Sequence, residues 1–171
     1  MPPAKRRQPR HLTFNSTDSL FDEVNLALLR GLQTEPRIAT SELARRIGMS
    51  APAVRERIQR LEAAGVIAGY QVVIDPASVG LSITAFVRIR PIPGALPKIA
   101  KLAAETPEVT ECYRITGEDC FLIKLHAPAL DKLEGVLDRF LAFGNTTTSI
   151  VVSTTMPTRQ PPLPQPASPQ R

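Results

Sequence analysis

An α+β chain is predicted: a helical N-terminal block followed by a strand–helix–strand–strand–helix–strand block. Three observations carry this. Between Asp18 and Gly65 the apolar residues recur at three- and four-residue spacing. From Ile83 they alternate with polar ones. Near the end, Thr146 to Thr155 is β-branched almost throughout. The chain has 171 residues, 43% apolar and 22% charged, a globular composition with room for one domain or two small ones.

Residues 1–17 are polar, proline-containing and basic, with Lys5, Arg6, Arg7 and Arg10. They show no period and read as a disordered arm. The helical block, 18–69, follows. Phe21, Val24, Leu28 and Leu32 share one face of a first helix. Leu43 and Ile47 mark a second, with Thr40 as its N-cap and Glu42 in its first turn, where the helix dipole favours an anion. Gly48 ends it. Ser50 caps a third helix, Pro52 fits its first turn, and Val54, Ile58 and Leu61 form its apolar stripe. Gly65 ends that helix in turn.

Residues 70–80 read as a linker, with Tyr70 to Asp75 extended and Pro76 to Gly80 a turn. In the block 81–156, Ile83, Ala85, Val87 and Ile89 alternate with Thr84, Phe86, Arg88 and Arg90 in a first strand. Leu96, Ile99, Ala100 and Ala103 are helix-spaced. Val109 to Ile115 and Phe121 to Leu125 read as strands joined by the turn Thr116-Gly117-Glu118-Asp119. Leu130, Leu133, Leu137, Phe140 and Leu141 mark a second helix, and Thr146 to Thr155 the last strand. This order is the ferredoxin-like, or split βαβ, unit. Phe86 puts an apolar group on the face that a one-sided layer of helices leaves bare, so this block is expected to oligomerise. Residues 157–171 hold six of the 17 prolines and read as a disordered, polyproline-like tail.

Whole classes of function are excluded by composition. No run of 18 uncharged apolar residues exists, so neither a transmembrane helix nor a membrane partner is expected. No apolar core follows the basic N-terminus, so a secretory signal is not expected and the setting is read as cytoplasmic. Cys112 and Cys120 are the only cysteines; each reads as a small buried hydrophobe, and a cytosolic setting disfavours a disulfide between them. With His11 and His126 far apart, no metal-ligand spacing appears, and no phosphate-binding glycine loop is present. No metal and no cofactor are therefore expected. The net charge of +5 is uneven: residues 1–70 carry 11 Lys/Arg against 7 Asp/Glu, and residues 71–156 carry 8 against 9. The basic side is the helical one, as a polyanion would require.

Three short helices with the tight Gly48-Met49-Ser50 turn form a helix-turn-helix. Such a unit lays its third helix in the major groove of double-stranded DNA, with the first turns at base edges. Ser50, Ala51 and Pro52 lie at that end of the helix. Arg55 and Gln59 point away from the Val54–Ile58–Leu61 stripe and are placed to read bases. Arg57 and Arg60 lie nearer the flanks and are placed to meet phosphates. Glu56 is spaced to pair with Arg60. The bland alternative is a three-helix bundle with a solvated arginine face.

The runs Ile38-Ala39-Thr40-Ser41-Glu42-Leu43-Ala44-Arg45-Arg46-Ile47-Gly48-Met49-Ser50, Val54 to Tyr70, and Pro107-Glu108-Val109-Thr110-Glu111-Cys112-Tyr113-Arg114-Ile115-Thr116-Gly117-Glu118-Asp119 strongly resemble the Lrp/AsnC (feast/famine) family of transcriptional regulators. The resemblance spans about residues 18–156. It implies an operator-binding regulator, an effector domain that senses an amino acid, and homo-dimers that can assemble into octamers. It also places Thr116, Gly117, Glu118, Asp119 and Cys120 in the effector site. There Cys120 stands where the family often has aspartate, with the carboxylate of Asp119 one place earlier. In the first helix the family commonly has Leu-Asp-x-x-Asp; here Asn25 replaces the second aspartate, a change to a local cap or pair. The same architecture also resembles the sirohaem decarboxylases, a rival enzymatic reading. The polar third helix, the two histidines and the basic arm count against it.

Overall fold

The structure is a computed structural model and describes residues 19–165. The basic arm, with Lys5, Arg6, Arg7, Arg10 and His11, lies outside the described residues, as do residues 166–171. The chain forms two compact units. One runs to Val72 and takes in the segment from Thr158; the other is Val73–Pro157.

The first unit holds α1 (Glu23–Thr34), α2 (Thr40–Ile47) and α3 (Ala51–Ala63). Its core is Leu28, Leu43, Ala44 and Val54, flanked by Val24, Leu32, Ile47 and Ile58, so the helical spacing in the sequence marks the packed faces. Leu26 and Leu29 are buried as well, giving α1 a wider apolar face than the one stripe expected. Asp22 caps α1 by accepting from the Asn25 amide at 2.6 Å. Thr40 is not the cap of α2. It is the first helical residue, Ala39 holds the cap position, and no side chain bonds the free amides there. Gly48 is left-handed at φ 70°, and the Gly48 and Met49 amides return to the carbonyls of Arg45 and Ala44. The Ser50 hydroxyl accepts from the Ala53 amide at 3.4 Å and caps α3. Gly65, at φ 77°, follows its end.

The Pro-rich segment is not a free extension where it is described. Gln33 Nε2 donates to the Pro161 carbonyl at 3.1 Å, and Leu163 and Pro164 are half-buried. Residues 70–75, expected to be extended, form no strand of a sheet. Val72 and Val73 are each 85% exposed.

The second unit is a four-stranded antiparallel sheet of β1 (Ile83–Pro91), β2 (Val109–Arg114), β3 (Phe121–Ala127) and β4 (Gly144–Ile150). Their order is β2-β3-β1-β4, with α4 (Leu96–Glu105) and α5 (Leu130–Leu141) as the connections. Ala85, Val87 and Ile89 of β1 and Phe121, Ile123 and Leu125 of β3 meet Ile99 and Ala103 of α4 and Leu133, Val136 and Phe140 of α5. Truncating Phe121 or Phe140 to alanine would cost about 3–5 kcal/mol. Ala100, Leu130 and Leu141 are exposed; Ala95 and Val136 take the core places instead.

The last strand ends at Ile150, short of Thr155, because its partner β1 begins at Ile83 and the ladder runs out. It begins early, at Gly144, which lies across Pro91 where a Cβ would collide with the Arg90 carbonyl. Cys112 is exposed, not buried: β2 is an edge strand, and burial fades along it. Both cysteines are free.

Candidate functional site

Along α3 the side chains divide by what they touch. Val54 and Leu61 are fully buried and fix the helix on its unit. On the outer face Arg55 and Gln59, one turn apart, are exposed and have no side-chain partner among the described residues. Arg60 pairs with Glu56, as the spacing predicts, and both remain exposed. Ser50, Ala51 and Pro52 stand at the amino end of the helix.

Arg57, placed by the sequence to meet phosphates, also has partners within its own unit. Its Nη1 lies 2.6 Å from Asp22 Oδ2 and 3.0 Å from Asn25 Oδ1, and its side chain is only 29% exposed. It ties α3 to the start of α1. The sequence could not show this, because the partners are 35 and 32 residues away.

α2 carries a second set of ion pairs. Glu42 accepts from Arg45 and Arg46, and Arg46 also reaches Glu35 at 2.9 Å. Hydrogen bonds from Arg45 and then Arg46 hold the Glu42 carboxyl down to about 2. Arg37, which the sequence reading passed over, is exposed and without a partner among the described residues. It stands three residues before the uncapped amino end of α2, where backbone N–H groups suit a phosphate oxygen.

In the second unit the turn after β2 is built on Gly117, at φ 108°. The Ile115 amide donates to the Cys120 carbonyl, and the Cys120 amide to the Ile89 carbonyl, both at 3.0 Å, which pins the turn against β1. Two arginines of β1, absent from the sequence-based set, stand beside it. Arg90 pairs with Glu118 and lies 3.8 Å from Asp119; Arg88 lies 3.7 Å from Asp119. The Ile89↔Phe121 register brings them there, a pairing no local pattern announces. Asp119 is the more enclosed carboxylate, 24% exposed against 82% for Glu118. Thr116 is exposed and Cys120 half-buried. The turn thus sets two carboxylates against two guanidiniums, an arrangement able to meet an ammonium and a carboxylate on one ligand.

A helix-turn-helix unit joined to a ferredoxin-like unit with a polar turn at one end defines a class of DNA-binding regulator with a sensor domain. Residues 21–62 match the AsnC-type helix-turn-helix domain, and residues 84–161 the Lrp/AsnC ligand binding domain. The transcriptional regulator LrpA of Mycobacterium tuberculosis is 35% identical over 143 residues, covering 82% of this chain and 95% of its own. LrpC of Bacillus subtilis is 27% identical over 133 residues, 78% of this chain and 92% of its own. Among solved structures, a transcriptional regulator of Neisseria meningitidis in complex with L-methionine superposes with a TM-score of 0.77 at 27% identity, over 82% of this chain and 96% of that one. The feast or famine regulatory protein of M. tuberculosis complexed with L-methionine gives 0.73 at 34%, over 81% and 97%. The chain belongs to the Lrp/AsnC family and is a DNA-binding transcriptional regulator. No helix among the described residues is long and apolar enough to cross a membrane.

Proposed function

We infer that the chain is a cytoplasmic, dimeric regulator, and not an enzyme, that reads its operator with α3 and responds to an amino acid bound at the Thr116–Cys120 turn. One observation carries the operator reading. Arg45, Arg46, Arg57 and Arg60 are all in ion pairs, whereas Arg55 and Gln59 stand free on the outer face of α3. Arg55 and Gln59 read base edges; Arg60 and the backbone N–H groups of Ser50 and Ala51 meet the phosphates, while the Pro52 ring, which has no N–H, packs against the DNA beside them. Two such units in a dimer address half-sites about one helical turn apart, roughly 34 Å. The exposed Phe86 on the bare sheet face and the exposed Val72, Val73 and Ile74 support the dimer.

The effector reading draws on the L-methionine complexes of the two similar regulators and on the charges at the turn. Asp119 accepts the ligand ammonium, and Arg88 or backbone N–H groups near Gly117 meet its carboxylate. The test is a salt-dependent gel shift on the DNA upstream of the protein's own gene, with a panel of amino acids. Tighter binding to that DNA than to scrambled DNA, altered by one amino acid in the wild type but not in Asp119→Ala, is expected. Equal affinity for both DNAs would refute the operator reading, and an unchanged response in the variant would remove the turn from the site.

A further inference from the structure

The outer side of α1 carries a leucine that the helical core does not account for. Leu26 is fully buried, yet it stands outside the cluster of Leu28, Leu43, Ala44 and Val54. At about 100° per residue, Leu26 lies roughly 160° round the helix from Leu28. The two neighbouring helices lie elsewhere on the wheel. α2 is on the side of Gly31, where an added Cβ would strike Leu43. α3 meets α1 at Asp22 and Asn25, roughly 120° and 60° from Leu28. Leu29, 7% exposed, borders that contact at roughly 100°, and Gln33 falls within about 20° of Leu26, two turns further on. Leu26, Leu29 and Gln33 thus form a strip past the edge of α3, closed over at Leu26 by something other than the helical core.

One segment of the same unit reaches this strip. The Gln33 side-chain amide donates to the Pro161 carbonyl at 3.1 Å. Residues 152–162 are exposed throughout and so is Gln165, but Leu163 and Pro164 between them are half-buried. Pro161, Pro162 and Pro164 fix φ near −65°, so this stretch is a preformed rod rising about 3.1 Å per residue. Leu163 is then about 6 Å beyond Pro161, which is the distance along α1 from Gln33 back to Leu29; Pro164 is about 9 Å beyond it, close to the 10.5 Å or so from Gln33 to Leu26. The chemistry matches as well. A proline has no N–H and offers only its carbonyl, and the Gln33 amide supplies the donor that such a rod requires.

We propose that the outer strip of α1 is a docking groove for a proline-rich rod, and that residues 161–164 of this chain fill it, with Leu163 as the apolar anchor over Leu26 and Leu29 and Gln33 holding the Pro161 carbonyl. Because the rod is preformed, seating it costs little conformational entropy, and one apolar anchor with one hydrogen bond suffices to hold it. The chain leaves the first unit after Val72 and returns to it at Thr158. The docked rod therefore fastens the exit of the second unit to the DNA-binding unit, which the peptide chain alone joins only at the entry.

The test uses the full chain with methyl-labelled leucines. In the wild type, nuclear Overhauser effects should join the methyls of Leu163 to those of Leu26 or Leu29. Their absence overturns the proposal, and so does finding them only between differently labelled copies, which would make the occupant another copy's tail. Hydroxyl-radical footprinting then reads the cover one side chain at a time. Leu26 should be protected in the wild type and in Leu163→Met. In Leu163→Ser it should lose that protection and oxidise as readily as the exposed Leu130 and Leu141, while Leu28 stays protected. A Leu26 that remains protected in Leu163→Ser is covered by another part of its unit, and the proposal falls. If Leu28 loses protection along with Leu26, the unit has opened as a whole, and the Overhauser contacts of the wild type decide.

Discussion

Asp22 does two things at once, and the two can be measured apart. Its Oδ1 caps α1, and its Oδ2 pairs with Arg57 of α3 at 2.6 Å. The cap contributes about 1 kcal/mol. The ion pair is partly exposed, 39% at Asp22 and 29% at Arg57, so solvent screening holds it to about 0.5–1 kcal/mol. Asp22→Ala loses both, about 1.5–2 kcal/mol. Asp22→Asn keeps an acceptor for the Asn25 amide and loses only the charge, about 0.5–1 kcal/mol. At 1.4 kcal/mol per factor of ten, protected amides of α1 should exchange roughly 10- to 30-fold faster in Asp22→Ala and about 2- to 5-fold faster in Asp22→Asn. Hydrogen exchange suits this, because it reads one unit at a time and the chain has no tryptophan. Arg57→Ala should lower the protection of α1 and α3 together and couple to Asp22→Ala in a double-mutant cycle. Strict additivity in that cycle would refute the bridge. If Arg57→Ala left protection unchanged but reduced the salt slope of DNA binding by about one, Arg57 would be the phosphate contact that its place on the helix suggests.

Arg55→Ala should shrink the gap between operator and scrambled DNA by about 1–3 kcal/mol, whereas Arg60→Ala should weaken both alike and lower the salt slope by about one. Equal losses on both DNAs in a salt titration of Arg55→Ala would move it to the phosphate set. The Glu42 carboxyl is held at about 2 in the fold against 4.5 unpaired, so its contribution is complete above pH 4.5 and disappears as pH falls toward 2. Glu42→Gln should therefore melt below the wild type at neutral pH, with the difference closing across that window; a gap that persists at pH 2 would mean the pairing with Arg45 and Arg46 is not its source. A fragment of residues 71–156 should be at least dimeric in sedimentation equilibrium at tens of micromolar, an order-of-magnitude working concentration, and a monomer there would remove the sheet face as the contact.

What was legible in the sequence is what neighbours along the chain decide. Gly48 and Ser50 gave the turn and the cap, because a left-handed residue and a capping hydroxyl act within four positions. The alternation from Ile83 to Arg90 showed which side of β1 is buried. Thr40 misled because the capping preference names a residue type, while the cap position itself depends on where the chain enters the helix, here Ala39. The remainder depended on partners far away. Arg57 reaches Asp22 across the helical unit, and Arg88 and Arg90 reach Asp119 only through the β1–β3 register. The end of β4 was set by where β1 begins, and the fate of Cys112 by its strand lying at an edge.

The segment joining the two units has a consequence for how the chain avoids aggregation. Tyr70, Val72, Val73 and Ile74 are all more than half exposed, in a run with strong β preference and no charge. Such a run is the composition of a sticky strand, able to recruit others like itself. It is stopped sharply. The Asp75 carboxylate accepts from the Ser78 hydroxyl and amide, bonds that hold it below the usual carboxylate range, so it keeps its charge at the end of the run. Pro76 next to it has no N–H to offer an incoming strand. Charge and proline at a strand end are the gatekeepers that limit aggregation. The uncharged apolar length is thereby confined to residues 70–74, a run too short and too abruptly closed to seed a growing stack.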